Sequence, residues 1–259
     1  IYESTAHGTF TINKVTPTVT PPTIKSGLIY NTSAQALIDA GSTNYGTLEY
    51  SLDGTNYSTS IPSGTNATEY TIYYKVDGDS NVNSLPASSI TNSISAKVVS
   101  SPVITLDTTA YTYDGSAKQP TVLSVEDESD TIPSSEYTVS YGSNIDAGTA
   151  SVTITDETGG NYTVNGSTTF IINKANGSVS TAPTAVTGLV YNTLSQELIS
   201  AGASDTGVMM YKLDSGSWDT IIPTATNAGS YTVYYKASAS TNYNESASGS
   251  VDRDRKSVV

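Results

Sequence analysis

The sequence predicts an all-β chain, a tandem array of small antiparallel β-sandwiches, on three observations. The first is alternation: from Tyr231 to Lys236 the side chains of Tyr231, Val233 and Tyr235 fall on one face and those of Thr232, Tyr234 and Lys236 on the other, the period of two that a half-buried strand requires. The second is repetition. The turn and strand from Asn227 to Lys236 recur as Asn66 to Lys75 and, more distantly, as Asp146 to Ile154, so the chain repeats one structural plan. The third is composition: charged residues make up 14% of the 259 residues, against abundant Thr, Ser, Tyr, Asn and Val. That mixture suits strands joined by polar turns and disfavours helices.

Residues 1–15 read as the end strand of a truncated preceding module, because Gly8 to Lys14 parallels Ser167 to Lys174, where a complete module finishes. Thr16 to Ile24 carries Pro17, Pro21 and Pro22 and reads as a linker passing into an edge strand, since proline cannot donate to a central ladder. The first full module spans residues 16–99. Its predicted strands include Gly27 to Asn31, Ala36 to Ile38 and Thr47 to Leu52, the last ending at the hairpin signal Asp53-Gly54. The strand from Tyr70 and the stretch Ile90 to Val98 complete it. About seven short strands with turns at regular spacing describe an immunoglobulin-like sandwich better than a barrel or a parallel sheet.

The second module, residues 100–175, keeps the plan in different words, with strands at Tyr111 to Tyr113, Pro120 to Val122, Tyr137 to Tyr141, Ala150 to Ile154 and Thr169 to Ile172. The third, residues 176–251, restates the first at a constant offset: Gly188 to Thr193 stands for Gly27 to Thr32, Tyr211 for Tyr50, Trp218 for Tyr57 and Ile222-Pro223 for Ile61-Pro62. On this register Tyr70, Ile72, Tyr74, Val152, Ile154, Tyr231, Val233 and Tyr235 are expected to be buried, and Thr71, Ser151 and Thr232 exposed.

The last stretch breaks the pattern. The first module closes with Ile90 to Val98, but the same offset brings Val251 to Val259 to that place, without alternation and with both of the chain's arginines, Arg253 and Arg255. Asp254 to Val259 is also what a common sequencing adapter encodes in frame. Residues 252–259 are therefore expected to be a non-native tail, leaving the third module without its closing strand and Tyr235 more exposed than Tyr74.

The net charge of -13 and the isoelectric point near 4.2 argue against nucleic acid or an anionic membrane surface as partner, because both would repel the chain. No apolar run reaches the roughly 18 to 20 residues of a membrane span. Cysteine is absent, which excludes thiolate zinc sites, a cysteine nucleophile and a disulfide framework. The one histidine, His7, cannot assemble a Ser/His/Asp relay or a two-histidine metal site. Carboxylate pairs such as Glu126 with Glu128 or Asp156 with Glu157 have the chemistry of a glycosidase, but they lie in turn-like polar stretches and read as solvated loops. Asp77 to Asn83 alternates oxygen ligands as a calcium loop does, yet Ser88 stands where that loop needs a bidentate glutamate. A turn between the last two strands accounts for it better. The chain is accordingly read as no enzyme and as needing no cofactor.

The sequence of the middle module carries a family resemblance. Tyr113 to Pro120, the strand Tyr137 to Tyr141, Asp146 to Ala150 and Gly160 to Thr163 together resemble the bacterial YDG/MBG-type repeat over the whole module. The first and third modules resemble bacterial immunoglobulin-like repeats of large surface proteins, in which such units alternate with YDG-type ones. The resemblance implies an extracellular, surface-exposed array, often attached to an adhesin or a secreted glycan-acting enzyme, and no catalytic residues in the repeats. Within it Tyr70, Tyr74, Asp114, Gly148, Tyr231 and Tyr235 read as structural, and Tyr231 is placed like the corner tyrosine of immunoglobulin folds. Lys75 and Lys236 fall on the outward face, which disfavours a lysine-to-asparagine isopeptide crosslink.

The leading expectation is a structural spacer or stalk, monomeric within a longer chain, whose short proline-bearing connections limit bending. The alternative is a set of glycan- or mucin-binding adhesin modules that contact cell-surface or host glycans through exposed aromatics. Tyr73 and Tyr234 point outward and are the candidate ligand contacts, since exposed rings stack on sugars.

Overall fold

The computed structural model describes residues 8–128 and 130–255; His7 and the end of the predicted tail, 256–259, lie outside them. Among the described residues the fold is strands and turns, with one 3-10 turn at Ser134–Glu136, and no helix is long and apolar enough to cross a membrane. The chain forms two compact units. Unit one comprises residues 1–103, 125–138 and 154–166, and unit two comprises 104–124, 139–153 and 167–259. The stretch 100–175 contributes to both.

Unit one is built on a three-stranded antiparallel sheet in the order Thr47–Ser51, Glu69–Asp77, Leu85–Ser93. Facing it are three short pairs: Val19–Thr20 with Ser42–Thr43, Thr23–Ile24 with Ile38–Asp39, and Gln35–Ala36 with Ser63–Gly64. Leu37 and Ile38 from the short pairs meet Tyr50 and Ile72 from the sheet, and Ile94 completes this core. A sandwich results, because each layer is apolar on one face only.

A four-stranded sheet, most of whose residues belong to unit two, runs in the order Ala110–Thr112, Gly166–Asn173, Gly148–Asp156, Tyr137–Gly142. Its buried residues include Leu106, Ala150, Val152, Phe170 and Ile172. Ala110–Thr112 runs parallel to its neighbour. The second sheet of the unit is antiparallel, Met209–Leu213, Gly229–Ala237, Gly249–Arg255, over a core of Leu198, Ile199, Tyr211, Ala225 and Val233.

The predicted phase of the central strands holds at the aliphatic positions: Ile72, Val152, Ile154 and Val233 are fully buried. The tyrosines correct it in degree, since Tyr70, Tyr74, Tyr231 and Tyr235 are half-buried, their rings reaching the rim of the core. Thr71, Ser151 and Thr232, expected to be exposed, are half-buried too. Each lies on a central strand, and the side chains of both flanking strands cover a small neighbour.

At the chain's ends one expectation, that of a missing closing strand, is overturned. Residues 8–14 join no strand, Phe10 and Ile12 are 97% and 98% exposed, and Val15 alone makes a bridge, to Val82. The third module does not lack its closing strand. Gly249–Arg255 pairs with Gly229–Ala237 from Tyr235↔Gly249 to Gly229↔Arg255, the register of Tyr74↔Ser88 and Glu69↔Ser93 in the first module. The open N–H and C=O groups of a central strand take any extended partner, whatever side chains it brings. Tyr235 is consequently half-buried just as Tyr74 is.

Candidate functional site

The feature that recurs is a junction, in which the chain leaving one module is gripped by an asparagine loop belonging to the next. In unit one Lys97–Val99 pairs in parallel with Tyr162–Val164, and the Lys97 N–H donates to the Asn161 carbonyl at 2.9 Å. The Asn161 carboxamide turns the other way. Its Oδ1 accepts the Ala67 N–H at 2.7 Å, tying the loop to the turn that starts the first module's central strand. Tyr162 meets Tyr30 edge to face, with centroids 5.2 Å apart and planes at 76°, a favoured aromatic geometry. Burial, before the nearby charges, pushes the Tyr162 phenol above its ordinary pKa.

Charge reinforces this junction. The Lys97 ammonium contacts Asp130 and lies 3.6 Å from Asp127, and the Asp130 hydrogen bond holds its pKa above the ordinary lysine value. Glu136, buried at the end of the 3-10 turn, accepts the N–H of Asn161 at 2.6 Å and of Tyr162 at 3.1 Å. Two donors that would otherwise be stranded are thereby satisfied. Gly160 makes room for it, because a Cβ there would stand 2.2 Å from Glu136 Oε2.

Unit two builds the same grip from other residues. Ala175 donates to the Asn242 carbonyl at 2.9 Å and accepts the Asn244 N–H at 2.8 Å. The Asn242 carboxamide accepts the Ala147 N–H at 2.8 Å and donates to Asp146 Oδ1 at 2.9 Å. Tyr243 lies edge-on to Tyr113 at 5.4 Å and 81°. Lys174 reaches the Ser240 carbonyl at 2.6 Å. The start of unit one shows the backbone half again: Val15 donates to the Asn81 carbonyl and accepts from Asn83, both at 2.9 Å, and Lys14 reaches the Asp79 carbonyl at 2.7 Å.

The residues singled out from the sequence support these junctions or stand apart from them. The hydroxyls of Tyr70 and Tyr231 donate to the carbonyls of Asn66 and Asn227, each at 2.9 Å, which fixes the turns beside Ala67 and Ala228. Tyr74 and Tyr235 line the cores of their modules. Asp114 pairs with Lys118 at 2.5 Å and accepts the Ser116 N–H at 2.9 Å, and the Lys118 hydrogen bond holds its carboxyl below the ordinary range. Gly148, at φ 145, lets the Asp146-Ala147 turn enter its strand.

The two candidate ligand contacts have their own neighbours. Tyr73 packs beside Gly54, whose Cβ would lie 3.5 Å from the ring. Tyr234 lies under Lys212, 4.9 Å from the ring centroid, and Trp218 is approached by Lys212 at 5.2 Å and Lys236 at 4.6 Å. Lys75 stands over Tyr57 at 4.5 Å in the first module. These are cation–π pairs, and Lys75 joins Glu49 at 3.7 Å and Lys236 joins Glu245 at 2.6 Å rather than an asparagine. In the calcium-like loop Asp79 Oδ1 accepts the N–H groups of Asn81 and Val82 at 2.7 and 3.0 Å, so its carboxylate shapes a turn. No group of three metal-ligating side chains occurs among the described residues.

Sequence reasoning missed Asn161, Asn242 and Glu136. A signal for the asparagines is present: Asn81-Val82, Asn161-Tyr162 and Asn242-Tyr243 each set an asparagine before an apolar or aromatic residue in a polar loop. No protein-family model matches the chain, and no curated protein does. Among solved structures the chain is similar to one described as the protocadherin gammaB7 EC3-6 cis-dimer, at 12% identity over 91% of this chain and 76% of that one, with a TM-score of 0.26.

Proposed function

We propose that the chain is a run of non-catalytic spacer repeats from a large bacterial cell-surface or secreted protein, holding a distal adhesive or glycan-acting domain at a distance. The observation that carries this reading is the junction built once in each unit from main-chain bonds, an asparagine carboxamide and an edge-to-face ring pair. A spacer has to resist bending where modules join. Domains linked by loosely packed connections move relative to one another by default, and several directional bonds across each connection oppose that motion. The resemblance of the middle module to YDG/MBG-type repeats, and of its neighbours to bacterial immunoglobulin-like surface repeats, supports an extracellular setting. The net charge of -13 suits it as well, because self-repulsion keeps an exposed array soluble and unassociated.

Paired spin labels within unit one, one on the outer face of the first module and one near Thr138, test the reading. The expected result is one narrow distance distribution that broadens in Asn161→Ala. A broad distribution in the native chain would sink the spacer role. A glycan array probed with the native chain, giving binding that disappears in Tyr73→Ala or Tyr234→Ala, would put the adhesin reading in its place.

A further inference from the structure

We infer that Asn176 is a self-modification site, at which the chain's own peptide nitrogen converts the carboxamide to aspartate or isoaspartate and so loosens the unit-two junction with age. The inference rests on the junction geometry and stands whether or not the array serves as a spacer. Asn176-Gly177 is one of two Asn-Gly pairs in the chain, the other being Asn165-Gly166. In such a pair the glycine N–H, once deprotonated, attacks the asparagine Cγ; the Cγ–Nδ2 bond breaks, ammonia leaves, and a five-membered succinimide remains. Water then opens the ring at either carbonyl, giving aspartate or, when the main-chain side opens, isoaspartate, with one carbon added to the backbone path. Glycine permits the ring to close because it has no Cβ to obstruct it.

The structure sets the two pairs apart. Asn176 is exposed, and among the described residues no hydrogen bond engages its carboxamide or the Gly177 N–H, so both reacting groups are at liberty. At Asn165 the side-chain oxygen accepts the Asp156 N–H at 3.3 Å, and Gly166 begins the strand Gly166–Asn173. The position matters because of what stands on either side. Ala175 is held by Asn242 and Asn244, and the Ser178 N–H donates to Thr206 Oγ1 at 2.8 Å. Gly177 between them lies so close to the Asn244 carbonyl oxygen that even a Cβ would stand 2.2 Å from it. A backbone lengthened by one carbon between fixed points has no room there, and one of the anchors must give. The equivalent grip at the start of unit one cannot react. Val15 makes the bonds that Ala175 makes, but Thr16 and Pro17 follow it, a side chain without a carbonyl and a residue without an N–H.

The test incubates the full native chain at mildly alkaline pH and follows Asn176 and Asn165 by peptide mapping with mass spectrometry, where deamidation adds about 1 Da. Asn176 should convert at least about fivefold faster than Asn165, the factor by which one ordinary hydrogen bond biases an equilibrium. Amide exchange at Ala175 and Asn244, measured afterwards at one fixed pH, should quicken in step with that conversion. Asn176→Gln, whose longer side chain would have to close a six-membered ring, should keep slow exchange at both amides through the same incubation. An Asn176 that converts no faster than Asn165 would overturn the site. Converted chains whose Ala175 and Asn244 amides exchange as before would overturn its effect on the junction, and so would an equal quickening in Asn176→Gln.

Discussion

The unit-one and unit-two junctions share a grip and differ in where their lysine points. In unit one the residue bonded to the asparagine carbonyl is Lys97 itself, the parallel ladder runs on to Val99↔Val164, and the ammonium meets Asp127 and Asp130. In unit two the bonded residue is Ala175, one beyond the lysine, and Lys174 meets a main-chain carbonyl. Moving one residue along an extended chain turns a side chain to the opposite face. A single slip therefore converts an ion-paired joint into one without ion pairing by its lysine, while the carboxamide and the ring pair stay. Those two contacts are the shared mechanism, and the charges are local reinforcement.

The comparison breaks most sharply at Gly177, where a Cβ would stand 2.2 Å from the Asn244 carbonyl oxygen. Gly177→Ala is expected to cost unit two about 3 kcal/mol, the upper end for overpacking against backbone that cannot yield. The single tryptophan, Trp218, reports it in urea unfolding, and an unchanged midpoint would contradict the geometry. Next comes Glu136→Ala, which strands the N–H groups of Asn161 and Tyr162 at an expected cost of about 2 kcal/mol. Here amide exchange at those two residues should quicken while the Trp218 transition stays put.

Smaller effects sharpen the comparison rather than break it. Asn161→Ala and Asn242→Ala should each cost about 1 kcal/mol, as lost hydrogen bonds do. Costs differing by more than about twofold, beyond the scatter usual for such bonds, would mean that the carboxamide is not the common element. Smallest is the ionic term: added salt should weaken the unit-one junction by less than about 1 kcal/mol and leave that of unit two unmoved. Because Lys97 is held above its ordinary pKa, its contribution is whole below the ordinary lysine range and is lost as pH rises through the raised value. Exchange rates in the Asn161 loop across an alkaline titration measure this.

Much of each module was legible because its information is local. Alternation around Ile72 and Val233 set the inward faces, and the offset between Tyr30 and Tyr191 announced the repeat. The junctions were not legible in that way. Asn161 bonds Ala67 from 94 residues away, and nothing in its neighbourhood distinguishes a clamping asparagine from one that merely turns the chain. The contribution of residues 125–138 and 154–166 to unit one follows from such distant bonds, so composition gives no sign of it. The closing strand Gly249–Arg255 was missed for a related reason: alternation records which side chains are buried, whereas strand pairing is made by the main chain.

The shared register of the first and third modules has a consequence for how the chain is made. Glu69–Asp77 and Gly229–Ala237 accept their closing strands at equivalent positions, so on a nascent chain either strand offers a fitting edge to the other module's partner. Exchange of that kind is the characteristic misassembly of tandem repeats. The middle module, whose wording matches neither neighbour, is synthesised between them. By the time the third module emerges, the first has had that interval to fill its own edge, and the alternation of unlike repeats keeps twin modules from being born side by side.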